Sequence, residues 1–513
     1  MKKTIWIFAV SFAIFTLFLG SFAVSAKPKG KFTIASSQGT MELRSVYDPH
    51  TAVGATPTTF KSMIFDSLSH RDLNGKVIPA LATDWEIGTN WSHMTFNIRR
   101  GVKFHNGDSL TAADVKYSIE RAMREDIRFV FGGEMRRLIS SVETMGDFKV
   151  KINLKGPYLA FFDRCFDYLA IVPKNYTEKV GDKGFAKKPV GTGPFKMAKF
   201  ARDRYLDGRA VENHYRKTPY VRDVHYMNVK EHSTRLAMLK TGEADMVMLL
   251  STHIPNVKRD KKLRIIWSRH TYLITMVFFD LAHPEDSPFK DIRVRKATRL
   301  AIDLRGIADA VSFGAQEPWG SFLAPYHLGY DTNQQASPYD PEKAKKLMVE
   351  AGYAKGFDTT MTVHPSHPPR FEPMIAMLKK IGIRVKMRVP EAGTWSKMFV
   401  GAKFRGIGYG SGPWWVGRGH PASALNSHIT GGWNHKLATP AIYKAMSNLE
   451  VAVGDDNIAA KAKILNDQIF TDLIRFPLWS SHVAFAVNQR VKAYPAAPGT
   501  VFPRNFEYLE LND

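Results

Sequence analysis

The sequence predicts a mixed α/β protein of more than one lobe, and three observations support this. Strand-like segments at residues 31–36 and 221–229 alternate with helical patterns along the chain. The 513 residues exceed what one hydrophobic core usually organises, so two or three lobes are expected. No apolar stretch after residue 26 approaches membrane-spanning length, so the rest of the chain should be globular.

The first predicted unit is a strand, a turn and a capped helix. Apolar residues alternate with polar ones over 94–98, which predicts a strand, and a second strand is predicted at 102–104. Gly107 follows an asparagine and supplies a turn with positive φ. Thr111 and Asp114 have the spacing of a capping box, so a helix should begin there.

Two further helices are predicted in the second half of the chain. One begins at Asp340 and Pro341, an N-cap followed by a first-turn proline, and ends at Gly352. The other runs from about 291 to 303 and places small apolar residues on one face. Its opposite face should leave four basic residues largely exposed: Arg293, Arg295, Lys296 and Arg299.

Six sequence blocks occur in an order typical of one protein family. They are Phe104-His105 with Ala113-Asp114-Val115, Gly191-Thr192-Gly193-Pro194-Phe195, Lys240-Thr241-Gly242-Glu243-Ala244-Asp245-Met246, Ser287-Pro288-Phe289, Ala301-Ile302-Asp303 and Tyr339-Asp340-Pro341-Glu342-Lys343-Ala344. Together they resemble the peptide/nickel class (family 5) of extracellular solute-binding proteins that feed ABC importers.

The resemblance implies a three-lobed periplasmic-binding-protein fold of the cluster C type, with two large lobes, a hinge and a small inserted lobe. It places lobe I at 27–72, 188–275 and 482–513, lobe II at 73–187, and lobe III at 276–481. It also implies a function: the chain captures a solute, a peptide by family, between two lobes and delivers it to the membrane permease. Energy for uptake would come from the partner ATPase.

Residues 1–26 have the features of a secretory signal peptide. Lys2 and Lys3 precede an apolar run at 5–19, and small residues ending at Ala26 offer a cleavage site. A membrane anchor is the alternative. No cysteine adjoins the cleavage point, and the lone Cys165 excludes an internal disulfide. The prediction is an exported periplasmic protein without a lipid anchor.

The chain is strongly basic, with a formal net charge of +24. Removing residues 1–26 takes away two lysines and no acid, which leaves +22. Such a charge favours anionic partners, whether solutes, lipid headgroups or nucleic acid. The basic residues are scattered and form no stripe interleaved with aromatic residues, so nucleic-acid binding is not expected. The default oligomeric state is a monomer.

Sequence motifs for catalysis are weak throughout. The serine at 411 is not central in a nucleophile-elbow pattern, and the glycines at 191 and 193 lack the Lys-Ser/Thr of a phosphate loop. His364 and His367 lie among prolines without the spacing of a zinc motif. No cofactor, metal or enzymatic activity is therefore expected. The rival from another class is an exported hydrolase or a chaperone-like binder.

The resemblance also suggests where a solute binds. Relatives use a Gly/Trp-rich loop that corresponds to residues 408–421, in which Trp414 and Trp415 could stack on a flat solute. Ser37 and Met41 match a loop facing the cleft from lobe I. His367 and Arg370 lie where relatives present side chains to the far end of the solute.

One departure from the family bears on the kind of solute. Peptide-binding relatives place an aspartate in the loop, yet residues 407–434 contain no Asp or Glu. A buried ammonium group without a counter-charge is costly, so a free peptide amino terminus fits poorly here. Arg418 instead suits a carboxylate or phosphate. Two hypotheses stay open: a peptide, or a non-peptide anionic solute.

Overall fold

The computed structural model describes the greater part of the chain outside residues 1–26. The described residues are 27–36, 48–51, 58–72, 77–127, 129, 131–156, 168–268, 274–281, 286–365, 368–400, 404–411, 420–429, 439–496 and 504–512. They form a mixed α/β structure, as the sequence predicts.

The strands, numbered along the chain, are β1 (Lys29–Ser36), β2 (Ser69–Arg71), β3 (Val77–Pro79), β4 (Ala82–Ile87), β5 (His93–Ile98), β6 (Ile139–Thr144), β7 (Lys149–Leu154), β8 (Phe195–Ala201), β9 (Tyr205–Ala210), β10 (Val221–Asn228), β11 (Met246–Met248), β12 (Leu263–Ser268), β13 (Ile274–Phe279), β14 (Gln316–Pro318), β15 (Phe357–Thr362), β16 (Ile383–Arg388), β17 (Ile407–Ser411), β18 (Arg475–Ser481), β19 (Val483–Asn488), β20 (Val491–Ala493) and β21 (Glu510–Leu511).

The α-helices are α1 (Thr58–Ile64), α2 (Ala112–Met123), α3 (Gly132–Leu138), α4 (Lys174–Lys187), α5 (His232–Thr241), α6 (Ile254–Arg259), α7 (Ile292–Leu300), α8 (Leu304–Ser312), α9 (Pro341–Glu350), α10 (Pro368–Lys380), α11 (Ala392–Val400), α12 (Pro421–Ile429), α13 (Pro440–Glu450) and α14 (Asp455–Asp472). Short 3-10 helices lie at Thr89–Trp91, Ser251–His253, Pro288–Lys290 and Phe506–Tyr508.

The largest sheet has seven strands in the order β12-β19-β11-β1-β10-β9-β8. Its central strand β1 runs parallel to both β10 and β11, while the outer pairings are antiparallel. Phe32 and Ile34 of β1 are fully buried on one face of this sheet. The carboxyl ends of β1, β10 and β11 therefore point to one edge of the sheet.

A second sheet has six strands in the order β14-β18-β13-β17-β15-β16. Here β15 is parallel to both β16 and β17. The chain passes from the first sheet to the second between β12 and β13, and it returns between β18 and β19 with only His482 in between. The backbone amide of His482 donates to Ala315 at 2.8 Å. Two such crossings suit a hinge, although the lobe boundaries stay a prediction.

The predicted strand, turn and helix unit belongs to a third, four-stranded sheet, β4-β5-β7-β6. Strand β5 and helix α2 confirm the prediction, and the carboxylate of Asp114 accepts from the amide of Thr111 at 2.8 Å. The predicted strand at 102–104 is wrong, since only a single bridge joins Lys103 to Ser109. The reason is that Phe104 uses its own amide to close the turn, donating to Asp108 at 2.8 Å.

The helix predicted from about 291 to 303 is α7, which ends earlier, at Leu300, and Asp303 instead caps the next helix, α8. The predicted exposure of Arg295 is also wrong. This side chain is buried and donates to the carbonyls of Phe289 at 2.6 Å and Asp472 at 2.9 Å. Backbone carbonyls from two other elements thus accept from both terminal nitrogens of the guanidinium, and no local sequence pattern predicts these contacts.

The Gly191-Thr192-Gly193 segment has a structural explanation. A Cβ on Gly193 would lie 2.4 Å from the carbonyl oxygen of Met63, so only glycine permits this approach of two backbones. The ring of His105 lies 2.9 Å from the Gly193 carbonyl through Nε2, and His214 makes the same contact with the carbonyl of Thr192. These contacts join two of the family-like motifs.

Two buried histidines are held neutral. His105 donates through Nε2 to Gly193, and His50 lies with Nε2 2.8 Å from the Ala170 carbonyl and Nδ1 2.9 Å from the Arg121 guanidinium. Burial lowers the pKa of each ring to about 4, and Asp48 beside His50 only partly opposes this. Protonation would add a charge where solvation is lost.

Acidification from pH 7 to pH 5 should therefore lower the free energy of unfolding. The unfolded histidines take up protons near pH 6.5, whereas the folded ones stay neutral down to about pH 4, so stability falls across this interval. Each ring should contribute on the order of 1–2 kcal/mol. Urea unfolding at both pH values measures the slope, which should be shallower in His105→Gln. An unchanged slope in His105→Gln and in His50→Gln would contradict this account.

Candidate functional site

The seven predicted solute-binding residues fall mostly in parts of the chain that the structure does not describe. Arg370 is described. The other six lie outside the described residues: Ser37, Met41, His367, Trp414, Trp415 and Arg418. Cys165 lies outside them as well. The geometry of the candidate site is therefore built from Arg370 and from the described residues on either side of residues 412–419.

Arg370 lies near the carboxyl edge of the parallel strands of the second sheet. Helix α10, which contains it, follows β15 after the short segment that includes His364, and β17 ends at Ser411. Solute sites in open α/β sheets form outside the carboxyl ends of parallel strands. The fold thus places Arg370 on the side of the sheet where a solute is expected.

An aromatic cluster surrounds the end of β17. The Tyr409 ring lies 4.4 Å from that of Phe371 and 5.9 Å from that of Trp395, centroid to centroid. The Tyr409 hydroxyl accepts from the amide of His364 at 3.0 Å. The His364 ring in turn meets Trp395 edge-on at 5.1 Å. This packing holds β17, α11 and the segment from His364 to Phe371 in one arrangement.

Arg370 is half-buried in this cluster. Burial lowers the pKa of its guanidinium, and the nearby Tyr409 hydroxyl opposes the shift. Among the described residues, no carboxylate and no hydrogen-bond acceptor pairs with Arg370. A cation that has lost part of its hydration without gaining a partner favours an anionic group from outside the chain.

His420 lies one residue before α12 and directly follows residues 412–419 in the sequence. It is 5% exposed, and its Nδ1 accepts from the amide of Ala422 at 3.1 Å. Its Nε2 has no hydrogen-bond partner among the described residues. Burial lowers the pKa of His420 to about 4, so the ring is neutral and Nε2 is a hydrogen-bond donor that lacks an acceptor.

The family model for "Bacterial extracellular solute-binding proteins, family 5 Middle" matches residues 76–432. The chain belongs to this family. It is the solute-binding component of an ABC importer, and proteins of this family are extracellular or periplasmic binding proteins rather than enzymes. Such proteins bind peptides or small molecules and work with ABC permease partners.

Three known proteins are similar to this solute-binding protein over most of their length. It is 28% identical over 458 residues to heme-binding protein A of Haemophilus influenzae, and the alignment covers 82% of each chain. It is 26% identical over 485 residues to the glutathione-binding protein GsiB of Pectobacterium atrosepticum, covering 91% of this chain and 92% of the relative. Among solved structures, the periplasmic binding protein DppA of Helicobacter pylori, in complex with the peptide STSA, superimposes with a TM-score of 0.77 at 22% identity, over 95% of this chain and 99% of DppA.

Asp280 directly follows β13 in the second sheet. In this solute-binding protein it is buried, its amide donates to Gly406 at 2.8 Å, and its carboxylate lies 3.6 Å from the Arg405 guanidinium. Ser287 donates to its carbonyl at 3.3 Å. Its contacts are those of a scaffold residue that joins β13 to the start of β17.

Two residues of the cluster escaped sequence reasoning. The sequence places Tyr409 only within a glycine-rich stretch, and no sequence pattern marks Trp395. Tyr409 lies beside Arg370 and Trp395 packs against Tyr409, and both contacts are tertiary, so no spacing along the chain reveals them. Within the described ranges, no group of three or more His, Cys, Asp or Glu residues is placed to hold a metal ion. No helix of those ranges has the length and apolar character needed to cross a membrane.

Proposed function

We propose that this solute-binding protein captures a solute through a carboxylate or another anionic group that pairs with Arg370. The observation that supports the proposal is the half-buried guanidinium without a partner among the described residues. Arg370 presents a planar fork of donors that matches a carboxylate in two parallel hydrogen bonds.

The solutes in the names of the relatives share this chemistry. Heme bears propionate groups, and glutathione and a free tetrapeptide bear carboxylates. A short peptide thus stays the default class, held by its carboxylate. The 407–434 segment has no Asp or Glu for an α-ammonium group, so a non-peptide anion is the second candidate.

The remaining assignments belong to the same proposal. Ser37 and Met41 would contact the solute from lobe I, with His367, Trp414, Trp415 and Arg418 opposite. The lobes keep the boundaries predicted from the sequence. The mature protein would be a monomer that begins after Ala26, lies in the periplasm and has no lipid anchor.

Mass spectrometry of what denaturation releases from the purified native protein tests the proposal. We expect one or more solutes that bear a carboxylate or phosphate, because tight binders retain their solute. A ladder of masses that differ by amino-acid residues would identify a peptide carrier, and a single non-peptide anion would identify the alternative. A released solute without an anionic group would contradict the role of Arg370.

A second readout separates this proposal from the hydrolase alternative. A binding protein releases its solute intact, whereas a hydrolase consumes it. Chromatography of the identified solute after incubation with the protein should therefore show no new product. Turnover of the solute would overturn the assignment as a carrier.

A further inference from the structure

Two adjoining cavities form a groove at the edge of the first sheet where β1 begins. One has a volume of about 750 Å³ and the other of about 470 Å³. Both are lined by Gln489, Lys492 and Asn512, which makes them parts of one groove. This groove lies at the opposite end of β1 from Ser36, the residue that leads into the predicted solute loop.

The groove is strongly basic. Its lining includes seven cationic residues, Lys27, Lys29, Lys261, Lys262, Arg264, Arg490 and Lys492. Glu510 is the one carboxylate among the described residues that line it. The imbalance creates a local positive potential that favours an anionic partner.

Internal partners neutralise only part of this charge. Arg490 lies 2.7 Å from the buried carboxylate of Asp245, and Lys492 lies 3.0 Å from Glu510. Arg264 donates to the backbone carbonyl of Lys492 at 2.8 Å, so its charge has no carboxylate against it there.

The lysines at the two ends of the groove are available to a partner. Lys27, Lys261 and Lys262 are exposed and make no ion pair with another described residue. Flexible exposed ammonium groups suit a surface of many phosphates better than one fixed ligand.

The position of Lys27 indicates which anionic surface this is. It directly follows residues 1–26, whose apolar run ends at residue 19. The seven residues 20–26 can span at most about 25 Å when fully extended. During export, before the predicted cleavage after Ala26, the groove therefore lies within that distance of the membrane that holds the apolar run.

We propose that the groove is a docking face for the anionic phospholipid headgroups of the membrane in which the permease resides. Lysines near such a surface are attracted by the phosphates collectively and without a defined pocket for each headgroup. Docking through this edge leaves the carboxyl edge of β1 free for solute capture. Binding to the membrane surface would confine the search for the permease to two dimensions.

Cosedimentation with lipid vesicles tests the proposal on the protein purified after export. We expect binding to vesicles of phosphatidylglycerol mixed with phosphatidylcholine, little binding to phosphatidylcholine alone, and loss of binding as salt is raised. Equal binding to both kinds of vesicle would indicate insertion of an apolar segment and would overturn the proposal. Displacement by inorganic phosphate at constant ionic strength would identify a soluble-anion site and would overturn it as well.

Charge reversal identifies the surface. Lys261→Glu with Lys262→Glu should lower vesicle affinity at least tenfold. The matched control reverses two exposed lysines at the end of α10, Lys379→Glu with Lys380→Glu, and should lower it no more than about twofold. Equal losses in the two double variants would show that only net charge matters and would overturn the docking face. Solute binding and circular dichroism of both variants check that the fold is intact.

Discussion

Arg370→Gln should weaken solute binding by about 1.5–3 kcal/mol, which is roughly a 10-fold to 150-fold rise in the dissociation constant. The guanidinium is half-buried and lacks a counter-charge among the described residues, so an anionic group of the solute would be its hydrogen-bond partner. Glutamine keeps one donor group and removes the charge. Isothermal titration calorimetry with the solute released from the native protein measures the loss.

A double-mutant cycle shows whether Arg370 meets a carboxylate. For a peptide solute, the wild type and Arg370→Gln are each titrated with the peptide and with its C-terminal amide. If Arg370 holds that carboxylate, amidation of the peptide should weaken binding to the wild type by as much as Arg370→Gln weakens binding of the unmodified peptide. Amidation should change the affinity of the Arg370→Gln variant little. Additive losses would mean that Arg370 and the carboxylate act independently.

Two variants control for effects on the fold. Arg370→Lys keeps the charge and loses the planar fork, so its affinity should lie between wild type and Arg370→Gln. Arg384 lies in the same sheet, is exposed and pairs with Asp358 at 2.9 Å, so Arg384→Gln should leave solute affinity unchanged. An affinity for Arg370→Gln within error of the wild type would remove Arg370 from the site.

The sequence predicts those parts of the fold that depend on contacts between residues close together in the chain. Asp340 caps α9 by accepting from the amide of Lys343 at 2.9 Å, and Gly352 adopts φ +88° just beyond its end. Both residues act on their immediate neighbours, so their types suffice. The predictions for Arg295 and for the segment at 102–104 are wrong because each depends on hydrogen bonds that the local sequence does not indicate. The distant carbonyl of Asp472 accepts a hydrogen bond from Arg295, and a turn occupies the amide that a second strand would need.

The candidate site also contains residues that the sequence predicts and residues that it does not. Arg370 was found because a family resemblance places a side chain there. Whether Arg370 has an ion-pair partner depends on which carboxylates lie near it in the folded chain, so the sequence alone does not predict that it has none among the described residues. Tyr409 of β17 lies beside Arg370, and Trp395 of α11 packs against Tyr409. These elements are brought together only by tertiary packing. The sequence alone therefore predicts candidate binding residues but does not predict the aromatic residues that pack around them.

The largest stability effect should come from Arg216. Its guanidinium donates to Asp66 at 3.0 Å and to Glu507 at 2.7 Å, and these two carboxylates are 4% and 2% exposed. The pair of contacts ties the segment after α1 to the C-terminal region. Burial alone would raise the pKa of Asp66, yet Arg216 beside it holds that pKa well below its usual range.

Arg216→Met should lower the free energy of unfolding by about 3–5 kcal/mol, because it leaves two buried carboxylates without their cation. Urea unfolding at pH 7 measures the loss. Arg222→Met is the matched control, since Arg222 pairs with Asp223 but is 56% exposed, and it should cost less than about 1 kcal/mol. Adding Asp66→Asn and Glu507→Gln to Arg216→Met should recover part of the stability.

The pH dependence distinguishes an electrostatic loss from a packing loss. In the wild type, the depressed pKa of Asp66 gives a stabilisation that is complete above the unfolded pKa near 4 and is lost only as pH falls below it. Without Arg216, burial raises the pKa of Asp66, so the carboxyl group takes up a proton on folding and the variant gains relative stability as the pH falls. The difference in the free energy of unfolding between the wild type and Arg216→Met should therefore decrease from pH 7 to pH 4. A difference that stays constant over this range would mean that Arg216 stabilises the fold by packing alone.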